Sequence, residues 1–240
     1  MSETIIVFGA SSGIGESVAA LAHRHGARTV AVGRDRTKLE GLRGRLSGVE
    51  IASVDASRRE DVDAFFRDQG AFDHLVIALS GGKGAGLFRE LPLEDVRSGF
   101  EGKFFPQLNV AQAALSTLRK EGGSITFISA ASARSVAPGT AGLTAINAAI
   151  ESVIPILALE LAPIRVNGIS PGVVDTPWWN DVPADVKAGF FDRARANLPV
   201  RRVGTPEEVA ELVWFLAHAA FVTGSVYEID GGHRLVASRA

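Results

Sequence analysis

"VFGASSGIG", residues 7–15, runs from a β-branched apolar stretch through three glycines into a helical pattern. Gly9, Gly13 and Gly15 are spaced G-x-x-x-G-x-G. Glycines at a strand-to-helix turn let the backbone approach a pyrophosphate, and the first helical turn offers unpaired N–H groups and a partial positive charge. Glycines also serve ordinary tight turns, so the rest of the chain decides between the two readings.

The rest is an alternation. "RTVAVG", "VEIASVD", "HLVIALS", "GSITFIS", "IRVNGIS" and "SVYEID" join "TIIVFG" as strand candidates, with helical patterns between them. Apolar residues at successive positions predict strands covered on both faces. Ser57 with Glu60 and Thr205 with Glu208 predict capping boxes, the second with Pro206 at the first helical position. The expected fold is α/β: a single-domain, doubly wound, seven-stranded parallel sheet with helices on both faces, spanning residues 1–240. Residues 176–202, rich in Pro, Trp and Phe, follow the sixth strand at the end where such sheets bind ligands. They are expected to form a substrate lid, the alternative being a surface excursion whose aromatics pack down.

Composition narrows the function. A chain of 240 residues that is 46% hydrophobic suits one domain with a large core. A net charge of -2 with scattered Lys and Arg gives no basic stripe for nucleic acid. There is no cysteine, which removes disulfides, thiolate zinc sites and cysteine nucleophiles and fits a reducing cytoplasm. The N-terminus does not read as a signal peptide, and no run approaches the roughly 18 apolar residues of a membrane span. His23 and His25 are the only closely spaced histidines and face different sides of a helix, so no metal is expected.

At the end of the second strand, "VGRD" places Arg34 where an acidic residue would hold the ribose hydroxyls of NAD. An arginine there pairs with the 2′-phosphate of NADP(H), which is the expected cofactor. Asp35 follows directly and argues the other way. Asp55, at the end of the third strand, is placed to accept from the adenine amino group or to cap a helix.

In this order the pieces resemble the short-chain dehydrogenase/reductase family over nearly the whole chain. "AAIESVIPILALELAPIRVNGISPGVVDTP" is similar to the family's central helix, sixth strand and nicotinamide-side loop. "RRVGTPEEVAELVWFLA" with "FVTGSVYEIDGG" is similar to its C-terminal signature. The resemblance assigns to the cofactor Gly9, Ser11, Ser12, Gly13, Ile14 and Gly15, then Asp55 and Ala56, then Ala78, Leu79 and Ser80. It also assigns Pro171, Gly172, Val174 and Thr176 to the nicotinamide carboxamide. A small-molecule substrate is implied. So is a homo-oligomer, tetramer or dimer, built through helices at 93–119 and 142–161 and the last strand, with Pro155 expected to bend the second helix.

The departures fall on the family's catalytic tetrad. Leu143 stands where the tyrosine belongs, Asn147 where the lysine belongs, Ala130 where the serine belongs and Lys103 where the asparagine belongs. The only tyrosine is Tyr227, in the last strand. Without the acid, reduction of a simple ketone loses on the order of 10²- to 10⁴-fold, whereas an activated electrophile such as an iminium or a conjugated enone needs chiefly positioning.

Lys103 and Asn147 read as an exchange of positions. Lys103, among phenylalanines, is a proton donor of reduced pKa or a lysine that snorkels to solvent. Asn147 is a ribose ligand, and Ser132 a replacement hydrogen-bond donor if the fifth strand reaches it. Arg134 and Asp175 lie on segments that approach the pocket.

Three functions follow. The first is an atypical NADP(H)-dependent oxidoreductase acting on an activated electrophile, with an apolar pocket beneath Trp178 and Trp179. The alternatives are an NADP(H)-binding pseudoenzyme, as redox sensor or noncatalytic subunit, and a non-redox cyclase or isomerase.

Overall fold

The computed structural model describes residues 2–236. Its strands are β1 (Thr4–Phe8), β2 (Arg28–Gly33), β3 (Glu50–Ser53), β4 (His74–Ile77), β5 (Ser124–Ile128), β6 (Arg165–Pro171) and β7 (Val226–Ile229). They form one sheet in the order β3-β2-β1-β4-β5-β6-β7, every pair parallel. The order reverses at β1 and β4, so the connections leave in opposite directions and a crevice opens at the carboxyl ends of those strands.

Alternation along β1 shows how both faces are covered. Ile6 and Phe8 enter a core with Phe65 and Phe66 of α3 (Arg59–Gln69), Val110 of α5 (Phe105–Ala114) and Ile150 and Ile154 of α6 (Ala141–Glu160). Ile5 and Val7 enter the opposite core with Ala19 of α1 (Gly13–Arg24), Leu39 of α2 (Arg36–Arg45) and Val213 of α8 (Pro206–His218). Each buried Val, Leu, Ile or Phe side chain among these contributes about 1.5–3 kcal/mol relative to exposure.

The Thr205–Glu208 capping box forms with Pro206 at the start of α8. The box at Ser57 does not. Arg58 precedes α3 instead, and the Ser57 hydroxyl turns back to donate to Asp55 Oδ1 at 2.7 Å.

The run expected as one helix over 93–119 is divided. α4 (Leu93–Gly99) passes into a single π-helical turn, Phe100–Phe104, before α5. Pro106 has no N–H for the carbonyl of Gly102 and its ring crowds that carbonyl, so the turn before it widens. Pro155 stands within α6 on its exposed side. Among the described residues α6 is the one helix long and apolar enough to cross a membrane, a match by length and composition that the sequence reading missed. Here it is a layer of the fold, with Ile146, Ile150 and Ile154 buried.

Residues 176–202 form a 3₁₀ turn, Pro177–Asp181, and α7 (Ala184–Asn197). Trp179 is buried between Phe190 and Phe191 and donates from Nε1 to the carbonyl of Val174 at 2.9 Å. Trp178 is partly exposed.

Candidate active site and cofactor cleft

The glycine loop closes on the carboxyl ends of β1 and β4. Gly9 sits at φ +84°, and a Cβ there would meet the Ala78 carbonyl oxygen at 2.5 Å. A Cβ on Gly15 would meet the carbonyl of Gly9 at 2.3 Å, so only glycine allows helix and loop to approach this closely. Ser12 precedes α1 in an extended conformation without a side-chain cap, so the first-turn N–H groups of Gly13, Ile14 and Gly15 remain available to a phosphate. Across the crevice Thr176 approaches Gly13, where a Cβ would lie 3.3 Å from the Thr176 Cβ. A bare cradle between glycine loop and nicotinamide-side loop fits a dinucleotide.

At the adenosine end, Asp35 caps α2 by accepting from Lys38 N at 3.1 Å, and Lys38 Nζ lies 3.8 Å from its other oxygen. That carboxylate is committed to its own helix, whereas Arg34 is exposed. Asp55 accepts from both N and Oγ of Ser57, and these bonds hold its pKa below the usual carboxylate value, aided by the charges of Arg34 and Arg58. Ala56 is buried beside it, while Ala78 and Leu79 are half-buried and Ser80 is exposed at the end of β4. The Leu79 carbonyl accepts from Gln107 Nε2 at 3.2 Å.

At the nicotinamide end Pro171 closes β6. A Cβ on Gly172 would lie 2.6 Å from Asp230 Cα, so the loop leaves the sheet against the turn after β7. Val174 is buried, and its bridge to Gly204 ties this loop to the start of α8.

Lys103, Asn147 and Ser132 meet. The π turn directs Lys103 inward, where it is only 8% exposed. Its Nζ donates to Asn147 Oδ1 at 2.7 Å and to the Ser129 carbonyl at 3.0 Å, so two of the ammonium's three donors are engaged. Asn147 Nδ2 donates to Ser132 Oγ at 3.1 Å and to the Leu143 carbonyl at 2.9 Å. Since the ammonium only donates, the amide orientation is set and Ser132 Oγ is an acceptor, its own proton left to point elsewhere. Burial lowers the Lys103 pKa to about 8, partly opposed by the charge of Glu151. Lys103 therefore does not snorkel.

Ser132 arrives by a different route from the expected one. β5 ends at Ile128, and residues Ala131–Ala133 form a 3₁₀ turn that carries the hydroxyl to Asn147. Arg134 is not free for an anionic substrate, because it donates to Glu151 at 2.7 Å and to Glu228 at 3.0 Å. Asp175 pairs with Lys187 of α7 at 3.0 Å, which fastens the inserted segment to the nicotinamide-side loop. Tyr227 packs in the core on the α1 and α8 face.

Two residues that sequence reasoning missed complete the network. Glu151, 7% exposed, accepts from Ser129 Oγ at 2.7 Å and lies one helical turn beyond Asn147. Gln107, fully buried, joins the ends of β4 and β5 through the carbonyls of Leu79 and Ile128. An acidic residue inside "AAIESVIPILAL" was the available signal for the first. An open cleft lies not beneath the tryptophans but at the residues that follow Ser132 and at the start of α6. It has a volume of about 480 Å³ and is walled by Leu87, Phe88, Val136, Pro138 and Thr144.

A family model described as enoyl-(acyl carrier protein) reductase matches residues 9–234. The chain is 31% identical to the Homo sapiens 3-oxoacyl-[acyl-carrier-protein] reductase, over 98% of this chain and 100% of that one. It is 32% identical to glucose 1-dehydrogenase of Gluconobacter oxydans, over 95% and 90% respectively. Among solved structures, a small-chain dehydrogenase in complex with NADPH is similar at a TM-score of 0.84 and 32% identity, covering 98% of this chain and 100% of that chain. A short-chain type dehydrogenase/reductase from Mycobacterium ulcerans reaches a TM-score of 0.88 at 26% identity, over 99% and 92%. With the parallel sheet, the glycine cradle and the nicotinamide-side loop in place, the chain belongs to the short-chain dehydrogenase/reductase family of oxidoreductases.

Proposed function

We propose that this protein is an NADP(H)-dependent reductase of conjugated enones in which Lys103, Asn147 and Ser132 act in place of the family's tetrad. The observation that carries the reading is the buried Lys103 ammonium, 2.7 Å from Asn147 Oδ1. Near neutral pH this amine is charged, since its pKa lies at about 8. A buried positive charge stabilises negative charge developing on a carbonyl oxygen and repels an iminium, so it favours the enone among activated electrophiles.

The nicotinamide cofactor supplies the hydride. Ser132 Oγ–H donates to the substrate's carbonyl oxygen, where charge accumulates as hydride reaches the β-carbon. Asn147 holds that hydroxyl by donating to its oxygen, and the Lys103 charge acts through the same chain of bonds. The enolate then takes its proton from solvent. Because both N–H groups of the Asn147 amide are engaged by Ser132 and Leu143, the third Lys103 N–H, rather than Asn147, is the donor left for the nicotinamide ribose. The apolar cleft at Phe88 and Val136 suits an apolar carbon skeleton. The exposed Arg34 and the diverted Asp35 support NADPH over NADH.

The test is consumption of NADPH with a conjugated enone and with the saturated ketone of the same skeleton. Turnover of the enone alone is expected. Equal turnover of both, or tight cofactor binding with turnover of neither, would replace this reading with a ketoreductase or a noncatalytic binder.

A further inference from the structure

At the amino ends of the strands, opposite the cofactor cleft, Glu3, His74 and His218 converge. One ligand atom from each lies within 4.8 Å of the other two. His218 Nε2 stands 3.0 Å from Glu3 Oε2, and His74 Nε2 stands 3.3 Å from Glu3 Oε1. The two rings are 5.5 Å apart. Glu3 precedes β1, His74 opens β4 and His218 ends α8, so no sequence spacing hints at the cluster.

The hydrogen bonding around it suits a cation. His218 Nδ1 lies 2.8 Å from the Trp214 carbonyl, which can only accept, so the ring proton is on Nδ1. Nε2 then faces a Glu3 carboxylate oxygen at 3.0 Å, where either a second ring proton or a cation lies between two acceptors. His74 is only 6% exposed, and its Nδ1 is held by Ser124 Oγ at 2.8 Å, again leaving Nε2 toward Glu3. Glu3 Oε1 is a buried oxygen with no hydrogen-bond partner among the described residues. An outer partner on the far nitrogen of each imidazole is the usual support of a metal-ligating histidine.

We infer that Glu3, His74 and His218 form a binding site for a divalent transition ion, Zn²⁺ above all, distinct from the cofactor cleft. Two imidazoles and one carboxylate are a common zinc set that leaves one coordination position open. Bonds of about 2.0 Å at tetrahedral angles need ligand atoms ~3.3 Å apart, which rotation of the exposed His218 and the half-exposed Glu3 side chains supplies. The open position faces a depression of about 390 Å³ bordered by Glu121, Pro163 and Arg165.

Of the charged groups close by, Arg165 and Asp73 are satisfied elsewhere. Arg165 donates to the carbonyls of Leu216, Ala217 and Ala219, and Asp73 accepts from Thr4 N and pairs with Arg119. The ion would tie the start of β1, the start of β4 and the end of α8, segments up to 215 positions apart in the chain. Its expected effect is therefore on stability, not on hydride transfer.

The test uses tag-free protein with its native N-terminus, stripped with a chelator and titrated with Co²⁺ and then Zn²⁺. Expected are the visible bands of four-coordinate cobalt at one ion per chain, their loss on adding Zn²⁺, and a Zn²⁺-dependent rise in Tm. His218→Ala and Glu3→Gln, both outside the core, should each lose the bands and the rise while binding NADPH as before. No bands with the native chain, or a rise that survives both substitutions, would overturn the inference. The first result would leave an imidazolium–glutamate pair, and the second would place the ion on other surface histidines.

Discussion

Lys103 Nζ lies 2.7 Å from Asn147 Oδ1, so the two residues that stand in exchanged positions relative to the family's pattern are hydrogen-bonded to each other. The Lys103 charge reaches Asn147 on α6 from the preceding helical segment, through a π turn. Leu143, the residue the resemblance sets at the tyrosine's position, is half-buried on the first turn of α6, and its carbonyl accepts from Asn147.

Burying that lysine carries a measurable stability cost. The folded pKa of about 8 lies below the unfolded value of 10.5, so between these values the unfolded chain binds more protons. Stability therefore rises with pH across that window, and the cost is fully present below the folded pKa. From pH 7 to 10 the native chain should gain about 2 kcal/mol relative to Lys103→Met. Urea unfolding of both at the two pH values measures this, and parallel pH dependence would show that the amine is not buried.

Replacing Arg34 tests the cofactor preference. Arg34→Ala should weaken NADPH binding by roughly ten- to a hundredfold, the worth of a charge-assisted bond. NADH binding should change little. Calorimetric titration reads both, and equal losses would remove the 2′-phosphate assignment.

Ser132→Ala removes the one hydroxyl that the Asn147 amide holds. The expected result is a drop in kcat of roughly 10²-fold, as for loss of a single oxyanion donor, at unchanged NADPH affinity. A drop confined to KM would make Ser132 a binding residue only.

The outer side of α6 exposes Ile156 at 53% and Leu159 at 78%, apolar surface of the sort that partner subunits cover. The native chain is expected to be a tetramer or dimer, and Leu159→Asp should shift it toward smaller species. Light scattering coupled to size exclusion reports the mass, and a native monomer at micromolar concentration would contradict the assignment.

The fold was legible because its signals are local. The seven apolar runs, the glycine spacing and Thr205 with Glu208 each act within a few residues. The misread features depend on competition between neighbours or on distant partners. The sequence around Ser57 predicts a cap, but Asp55 two residues earlier captures its hydroxyl. The hydrophobic pattern over 93–119 predicts a continuous helix, whereas the missing N–H of Pro106 favours the turn that aims Lys103. Glu151, Gln107 and the cluster at Glu3 gain meaning only from residues brought close by the sheet. Lys103, Asn147 and Ser132 were legible as departures from a pattern; that they touch was not.

The most direct measurement is single-turnover hydride transfer from saturating NADPH to a conjugated enone, compared between the native chain and Lys103→Met across pH. The native rate should fall as pH rises through about 8, following the Lys103 pKa. The variant should be slower by roughly 10²-fold below that pH and flat above it. A variant as fast as the native chain, with the same pH profile, would contradict the claim that Lys103 does the work of the missing tetrad.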